Sequence, residues 1–219
     1  MPIEVFDYRR DIKNLFIAPT VRGRFLRMEP GEIGPRHSHD LGDELFLILQ
    51  GQCEFEIEGE RAVLGPGQLC VARVHQLHEV RVVGDEPMVM FLTVTPHIEP
   101  THTFWDDQGH KQPPVYGNAT RAERLAAGEP TEPIAEVTRR FLRAAQRLAD
   151  AAGAHAEAQR ANIPRLDAAV EGGGDACKAS LDAVWSALAT VYEPLREMEA
   201  TWNELAARVA DRSEGRVEG

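Results

Sequence analysis

The chain has 219 residues, 43% hydrophobic and 27% charged, which is ordinary for a globular protein with room for one sizeable domain or a domain with an appendage. A net charge of -11 argues against a nucleic-acid binder, because phosphate recognition needs a basic patch and the sequence has none. Apolar runs fall short of the roughly 18 residues that cross a bilayer, and the N-terminus lacks a signal-peptide core, so we expect a cytoplasmic protein without membrane contacts.

The first part of the chain predicts a strand at residues 22–28, RGRFLRM. Residues 1–20 before it carry one short apolar stretch, at residues 15–17. Within the strand, Arg24 and Arg27 fall on opposite faces because side chains alternate, so at most one of them points inward.

Two histidines one residue apart, His37 and His39, precede an acid at Glu44. Positions i and i+2 of a strand share a face, so both imidazoles can face one point. Glu44 would face the opposite side of an uninterrupted strand. Residues 40–43, DLGD, are typical of a turn, however, and a turn here can reset the direction so that Glu44 faces the same site from the next strand. A further histidine, His78, opens the run HEVRVV. Three imidazoles and one carboxylate suit a divalent ion such as Fe, Mn, Ni, Co or Zn.

Residues 44–49, ELFLIL, predict a strand with apolar side chains on both faces, as do residues 87–94, PMVMFLTV. If Glu44 points inward, Phe46 and Ile48 do so too, while the leucines point outward. We therefore expect both faces to be covered, either by a second subunit or by the chain's own C-terminal helices.

The intervening residues predict hairpins. Residues 53–58 alternate between apolar side chains and glutamates, which indicates a half-buried strand with a plain acidic outer face. A turn is expected at Gly59 and Glu60, and residues 65–67, GPG, suit a type II turn in which Pro presets one angle and Gly supplies a positive φ. Many short strands with such turns favour an antiparallel barrel or jelly roll.

The three cysteines are Cys53, Cys70 and Cys177. Their odd number and the lack of a metal-knuckle spacing predict reduced thiols and no disulfide framework.

Residues 20–97 resemble the cupin superfamily. The first cupin motif, G-x5-H-x-H-x4-E-x6-G, is matched at every fixed position, by Gly31, His37, His39, Glu44 and Gly51. The second motif, G-x5-P-x-G-x2-H-x3-N, is matched at Gly67 and His78, but Arg73, His75 and Val82 stand in place of Pro, Gly and Asn. The resemblance implies an N-terminal segment paired with a sheet edge, and a β-barrel with a metal held by His37, His39, Glu44 and His78. The departures concern the turn before His78 and the nearby pocket wall.

Residues 96–130 lack the alternating pattern of the preceding strands. They are rich in Pro, Gly and polar residues, and they predict a long irregular connection. The segment contains His97, His102 and His110, beside Trp105, Asp106 and Asp107. A second metal site is one interpretation, but the spacing matches no specific pattern. We favour a segment that wraps the barrel and shapes the pocket mouth.

From Thr131 onward the apolar period changes from two to about three and a half, which predicts helices. The first heptad series is Ile134, Phe141, Leu148 and His155, with Val137, Ala144, Ala151 and Ala158 as companions. After EGGGD at 171–175, the second series is Leu181, Leu188, Leu195, Trp202 and Val209, with Val184, Val191, Met198 and Leu205 as companions. Two helices joined by a glycine-containing connection predict an antiparallel hairpin, docked on the barrel or on the same hairpin of a partner chain.

Two prolines should interrupt these helices. Pro164 is expected to end or divide the first, and Pro194 to kink the second, because each removes a backbone donor and crowds the preceding turn. His155 is expected to be a partly buried core histidine and not a ligand.

The predicted fold class is mainly β: a cupin-type antiparallel β-barrel (jelly roll) followed by a C-terminal antiparallel α-helical hairpin. The expected domains are the barrel with its N-terminal segment at 1–97, the connecting segment at 98–130 and the hairpin at 131–214.

A metal with open coordination positions is typical of a reactive site. The expected pocket wall consists of Leu26, Met28, Phe46, Ile48, Met90 and Leu92. Arg36 and Arg73 are candidates for binding a carboxylate or enolate of a small-molecule substrate, the alternative being that each is a plain surface arginine.

Two functional hypotheses follow. The first is a metalloenzyme, for which the resemblance implies oxygenation of a dioxygenase-like kind, isomerisation or decarboxylation, and the complete ligand set favours it. The second is a non-catalytic metal- or small-molecule-binding module whose helices form a homodimer or engage another protein, and the helical tail favours it. No catalytic acid, base or nucleophile stands out beyond the four ligands.

Overall fold

The computed structural model describes residues 2–106, 108–172 and 175–214. The strands in these residues are β1 (Asn14–Ala18), β2 (Val21–Met28), β3 (His37–Ser38), β4 (Asp43–Gln50), β5 (Gln52–Ile57), β6 (Glu60–Leu64), β7 (Leu69–Ala72), β8 (His78–Val83), β9 (Met88–Thr95) and β10 (Thr103–Phe104). The helical elements are a 3-10 helix (Asn118–Thr120), α1 (Arg121–Ala127), α2 (Ile134–Gly172) and α3 (Asp175–Glu214).

The strands form two five-stranded antiparallel sheets. One has the order β1-β2-β9-β4-β7 and the other the order β10-β3-β8-β5-β6. Both sheets contribute side chains to one hydrophobic core, for example Met90 from β9 and Phe55 from β5. The predicted antiparallel β-architecture followed by a helical region is therefore confirmed, while closure of the sheets into a barrel stays a prediction. β1 lies at a sheet edge, paired with β2, as expected of the N-terminal segment.

The strand faces follow the predicted alternation. In β4, Glu44, Phe46 and Ile48 are 2%, 3% and 0% exposed, whereas the leucines between them are half-buried. In β2, Arg27 is exposed and Arg24 lies on the inward face, as the alternation requires. Inward-facing positions of β4 and β2 thus line the space between the two sheets.

The glycine turns differ in one detail from expectation. Residues 65–68 form the expected turn, with Gly67 at φ +82° and the Gln68 amide donating to the Gly65 carbonyl. The β5–β6 hairpin turns at Glu58 and Gly59, both with positive φ, and not at Gly59 and Glu60, because Ile57 pairs with Glu60 across the ladder. This two-residue turn matches the twist of the flanking strands.

Residues 96–130 are less irregular than predicted, because they contain β10, the 3-10 helix and α1. β10 pairs with β3 through Thr103 and Phe104, which brings this segment to the sheet that carries His37. The sequence of α1, RAERLAA, consists of strong helix formers, and Gly128 follows at its C-terminus with φ +78°.

The chain divides into two compact units. The sheet unit comprises residues up to Glu129 together with the end of the chain from Ala206, and the helical unit comprises Pro130–Leu205. Within the sheet unit, the Arg124 guanidinium donates to Asp211 at 2.8 Å. No helix in the described parts of the chain combines the length and the apolar character needed to cross a bilayer.

The helices correct one prediction. α2 runs without interruption through Pro164 to Gly172, so this proline neither ends nor divides the helix. A proline costs about 3 kcal/mol in a helix interior, and the remaining turns of this 39-residue helix supply enough hydrogen bonds and packing to tolerate it. α3 likewise continues through Pro194, and the kink there stays a prediction. Gly173 and Gly174, within the expected connection, lie outside the described residues.

Cys53 and Cys70 are free thiols, as predicted. Burial raises the pKa of each to about 12, so both are protonated at neutral pH and weakly reactive. The side chain of Cys177 lies outside the part of the chain that is described.

Candidate metal centre

The sheet register brings the predicted ligand residues to one place. His37 lies in β3 and pairs directly with His78 at the start of β8. His39 follows β3, and Glu44 enters from β4 of the opposite sheet. The turn between β3 and β4 needs Gly42, because a Cβ there would lie 2.9 Å from the Pro96 carbonyl oxygen. The turn thus resets the side-chain parity as the sequence predicts.

The four side chains converge on a single point. The Oε2 atom of Glu44 lies 2.8 Å from Nε2 of His39, 3.2 Å from Nε2 of His78 and 3.5 Å from Nε2 of His37. All four candidate ligand atoms lie within 4.8 Å of one another. His39, Glu44 and His78 are almost fully buried, and this His-His-Glu-His cluster could hold one metal ion.

Backbone carbonyls fix the tautomer of each imidazole. Nδ1 of His37 lies 2.8 Å from the Pro35 carbonyl oxygen, and Nδ1 of His78 lies 2.9 Å from that of Gln76. Nδ1 of His39 lies 2.5 Å from the carbonyl oxygen of Thr101. A carbonyl only accepts hydrogen bonds, so each Nδ1 carries the proton, and in a neutral ring Nε2 then presents its lone pair toward Glu44.

The charge of Glu44 depends on this arrangement. Burial alone would raise the pKa of Glu44, but hydrogen bonds from the side chains of His37, His39 and His78 hold it well below the ordinary value, and each Nε2 can donate such a bond only when its ring carries a second proton. The carboxylate is therefore ionised across the physiological range.

A cavity of about 350 Å³ opens beside the cluster within the sheet unit. Glu44, His37 and His78 form part of its lining. Its apolar wall consists of Leu26, Met28, Phe46, Phe55, Val80, Met90 and Leu92. A mostly apolar pocket with a few polar groups at one end is typical of a small-molecule site.

The predicted pocket residues divide into two groups. Phe46 and the predicted wall residues Leu26, Met28, Met90 and Leu92 all line the cavity, whereas Ile48 is buried in the core without lining it. Arg36 and Arg73 do not line the cavity, and a role for them in binding a carboxylate stays a prediction.

The geometry explains why both arginines miss the pocket. Arg36 directly precedes His37 and so faces the other side, where its side chain is 52% exposed and lies 3.8 Å from Glu56. Arg73 follows the end of β7 and starts the exposed turn in which its carbonyl accepts from the Gln76 amide.

Three cavity residues were not assigned to this site from the sequence, although His102 was named in a candidate second site. Arg22 and Arg24 line the cavity, and their parity along β2 with Leu26 and Met28 was the signal that could have found them. His102 also lines it, with its ring centroid 4.8 Å from that of His37 and 5.1 Å from that of His39. Burial lowers the pKa of His102 well below 6.5, so this ring is neutral at physiological pH. No local sequence signal marks it.

The other histidines of the connecting segment lie outside the candidate centre. Within the described residues, His37, His39, Glu44 and His78 are the one group of side chains placed to hold a metal ion. His97 is buried and its Nδ1 lies 3.0 Å from Thr101 Oγ1, while His110 is exposed beside Asp106. Asp107 lies outside the described residues.

Comparison with known proteins identifies the family. Residues 24–95 match the family model described as "Cupin domain", the segment that carries the two sheets and the cluster. These residues, about a third of the chain, therefore form a cupin domain.

Individual relatives are more distant. The chain is 35% identical over 66 residues to the pectin degradation protein KdgF of Dickeya dadantii, covering 30% of this chain and 59% of that protein. It is 30% identical over 69 residues to the polyketide synthase CurC of Streptomyces cyaneus, covering 32% of this chain and 45% of that protein. The match thus spans about half the length of these curated relatives. Among solved structures, a Klebsiella pneumoniae protein with a double-stranded β-helix domain is 18% identical, with a TM-score of 0.41, over 43% of this chain and 91% of that one.

Proposed function

We propose that the protein is a metal-dependent cupin that binds one divalent cation through His37, His39, Glu44 and His78, and that it is an enzyme acting on a small organic molecule. The cation is Fe, Mn, Ni, Co or Zn, since the His and Glu donors suit each of them. The reaction class is oxygenation of a dioxygenase-like kind, isomerisation or decarboxylation.

One observation carries this proposal: three Nε2 atoms whose rings already donate through Nδ1 surround one carboxylate oxygen. Each Nε2 could donate to Glu44 only from an imidazolium, and three imidazolium rings with centroids 4.3 to 5.5 Å apart would repel one another strongly. The buried Nε2 of His37 also has no hydrogen-bond partner among the described residues. A cation among the four lone-pair donors removes both problems, so the residues present fit a metal.

A divalent ion with open positions supplies Lewis-acid chemistry to an oxygen of the substrate or to a small co-substrate. The chain's own groups then have distinct tasks. The carbonyls of Pro35, Gln76 and Thr101 orient the imidazoles, and the apolar wall excludes water from the bound molecule. His102, neutral and adjacent, is placed to exchange a hydrogen bond with a ligand in the cavity.

Metal analysis of the purified protein tests the ligand set. We expect wild-type protein to retain metal after dialysis, and His39→Ala and Glu44→Ala to lose it, because each removes a buried ligand. His110→Ala, an exposed histidine outside the cluster, is the matched control and should keep wild-type content. Wild-type metal content in either ligand variant would refute the assignment.

Turnover separates the enzyme from a binding module. An oxygen-uptake screen with catechols, enediols and thiols, with parallel detection of isomerised and decarboxylated products, should show activity that Glu44→Ala abolishes. Tight metal binding without turnover in any class would favour the module.

The second candidate function is a non-catalytic binding module whose helices mediate self-association. Exposed apolar side chains on the helical unit favour it, since Leu142 is 70% exposed and Trp185 is 62% exposed. Single exposed apolar residues are common, but large ones on two long helices are typical of an interaction surface.

We further propose that α2 and α3 form the antiparallel hairpin. Two contacts between α2 and α3 within the helical unit support it. The later residue of α2 contacts the earlier residue of α3, as antiparallel helices require. Arg140 donates to Glu204 at 2.5 Å, and Arg147 forms an ion pair with Glu197. All seam positions from Ile134 to Asn162 are at least partly buried.

A further inference from the structure

We propose that Arg22 and Arg24 form an anion-binding subsite in the cavity, and that the ligand of this protein is a small organic acid whose carboxylate binds there. This deepens the proposed function, on which it rests for the second anchor: the rest of the ligand extends along the apolar wall toward the cation at Glu44. The subsite itself is built from residues outside the metal cluster.

The sheet register fixes the position of the two arginines relative to the cluster. Arg22 pairs with Val94 of β9, and Val94 pairs with Glu44 of β4, so the first arginine and the acid share one row of the sheet. They are two strand spacings apart, which is about 10 Å between their Cα atoms. Arg24 lies one inward position further along β2, in the row of Leu92 and Phe46.

Arg22 and Arg24 line the same cavity as Glu44, His37 and His78 of the metal cluster. Arg22 is only 2% exposed, and its one described hydrogen bond is a 3.3 Å contact from Nη1 to Asn14 Oδ1. The Nε atoms of Arg22 and Arg24 are buried and lack hydrogen-bond partners among the described residues. Each of these two cavity-lining arginines therefore has a buried donor without a hydrogen-bond partner among the described residues.

Such an arrangement is costly without a ligand. A charge removed from water loses much of its solvation, and a buried donor without a partner adds to the loss. Burial accordingly lowers the pKa of both arginines, although arginine stays protonated. An anion that enters the cavity would satisfy both groups, because the planar guanidinium fork matches a carboxylate.

A purely structural role explains these arginines less well. Each nearby acid has another assigned contact: Glu123 accepts from Asn14 Nδ2 at 2.7 Å, Glu99 accepts from the Gly117 backbone amide at 2.8 Å, and Glu44 belongs to the candidate metal cluster. They attract the guanidinium groups at longer range without satisfying the Nε atoms. Their negative charge also favours a singly charged carboxylate over a more highly charged anion.

The cavity limits the size and character of the ligand. Its volume of about 350 Å³ lies at the lower end of the roughly 300–1,000 Å³ found for ligand pockets. Leu26, Phe46 and Leu92 line the wall near the arginine rows. The predicted ligand is therefore a compact acid with an apolar body.

The test uses the full chain and a matched pair of probes, 3-phenylpropionate and its neutral amide, 3-phenylpropionamide, titrated by calorimetry. Wild-type protein is titrated as purified and again after metal removal with EDTA. In both states we expect the carboxylate to bind about ten to one hundred times more tightly than the amide, from the hydrogen bonds of two charged donors. Arg24→Met should abolish this preference. Arg27→Met, on the outer face of the same strand, should keep it.

Each other outcome has a defined meaning. A preference that survives in Arg24→Met would overturn the proposal, as would equal binding of acid and amide by wild-type protein, which requires no variant to fold. A preference that disappears on metal removal would place the carboxylate on the cation, overturning the arginine subsite while supporting the metal centre. Inorganic phosphate that binds where 3-phenylpropionate does not would overturn the carboxylate class. Wild-type protein that never binds metal would refute the proposed function without affecting the metal-free titration.

Discussion

At the scale of single residues, His97 shows how the interior of the sheet unit controls charge. Its side chain is 2% exposed and lies outside the proposed ligand set. Burial lowers its pKa to about 4, and the positive charge of Arg22 acts in the same direction. The folded protein therefore holds this ring neutral at a pH where the unfolded chain would already protonate it.

This difference predicts acid sensitivity. Because the folded-state pKa lies below the unfolded value of about 6.5, the unfolded state binds the proton more readily, and stability falls as the pH drops from about 6.5 toward 4. Between pH 7 and pH 4.5 we expect His97 to account for a loss of roughly 2 kcal/mol. Urea unfolding at both pH values should show a smaller loss in His97→Asn. His110→Asn, at an exposed histidine, should behave like wild type, and an identical loss in all three proteins would contradict the expectation.

The four candidate ligands were predictable because their spacing encodes strand geometry. His37 and His39 share a parity, and the DLGD turn gives Glu44 a new one, so both relations can be read from sequence. Parity could have placed Arg22 and Arg24 on the face of Leu26 and Met28, but their row relative to Glu44 depends on the pairing of β2 with β9 and of β9 with β4. The position of His102 depends on the path of the segment before β10. Arg36 and Arg73 do not line the cavity, since nearness in sequence to a ligand does not fix the direction of a side chain.

At the scale of elements, the β4–β5 connection depends on one glycine. Gly51 has φ +69°, and a Cβ at this position would lie 2.6 Å from the carbonyl oxygen of Pro87 and 2.9 Å from the Cα atom of Met88. Both obstacles are backbone atoms, which cannot rotate away as a side chain can. Gly51, the last fixed position of the first cupin motif, thus serves both a turn and a close approach between two segments of the chain.

Two alanine substitutions separate these effects. Gly51→Ala and Gly59→Ala both impose a positive φ on alanine, at a cost of about 1 kcal/mol each, but a Cβ at Gly59 meets open space. We expect Gly51→Ala to lose about 2 kcal/mol more in denaturant unfolding, because the backbone around Pro87 must shift. An equal loss of unfolding free energy in the two variants would show that the close approach at Gly51 does not affect stability.

Element boundaries followed the patterns that sterics enforce. The strands around Phe46 and Phe55 and the turn at Pro66 occur where alternation and turn chemistry predict them. Pro164 did not stop its helix, because a proline penalty is local, while the many other turns of α2 contribute together. Short α1 and β10 were missed within a Pro- and Gly-rich segment, since their stability comes from contacts distant in sequence.

At the scale of the whole molecule, the proposed homodimer concerns the exposed apolar side chains of the helical unit. If Leu142 and Trp185 contribute to contacts with a second copy of the chain, then Leu142→Glu combined with Trp185→Glu should convert the protein to monomers, because burying two carboxylates opposes association. Sedimentation velocity measures this directly. Leu125→Glu is the matched control, at a leucine of α1 that is 71% exposed in the sheet unit, and it should leave the oligomer intact. A monomeric wild-type protein would refute the dimer.

The division of the chain into two compact units was harder to infer from the sequence than the presence of a β part and a helical part. A change of apolar period from two to three and a half separates strands from helices, but it says nothing about which turns of a continuous helix group with which unit. α3 belongs to the helical unit up to Leu205, and its last turns from Ala206 group with the sheets. Ala206 and Ala207 are buried although neither stands at a predicted seam position.

The grouping of residues from Ala206 onward with the sheets affects how residues 130–205 should be treated in engineering. These residues are an insertion between two segments of the sheet unit, and within that unit Arg124 donates a hydrogen bond to Asp211. A minimal version of the protein is therefore a splice that connects Glu129 to Ala206 through a linker. A stop codon after Glu129 would remove a piece of the body that houses the cavity.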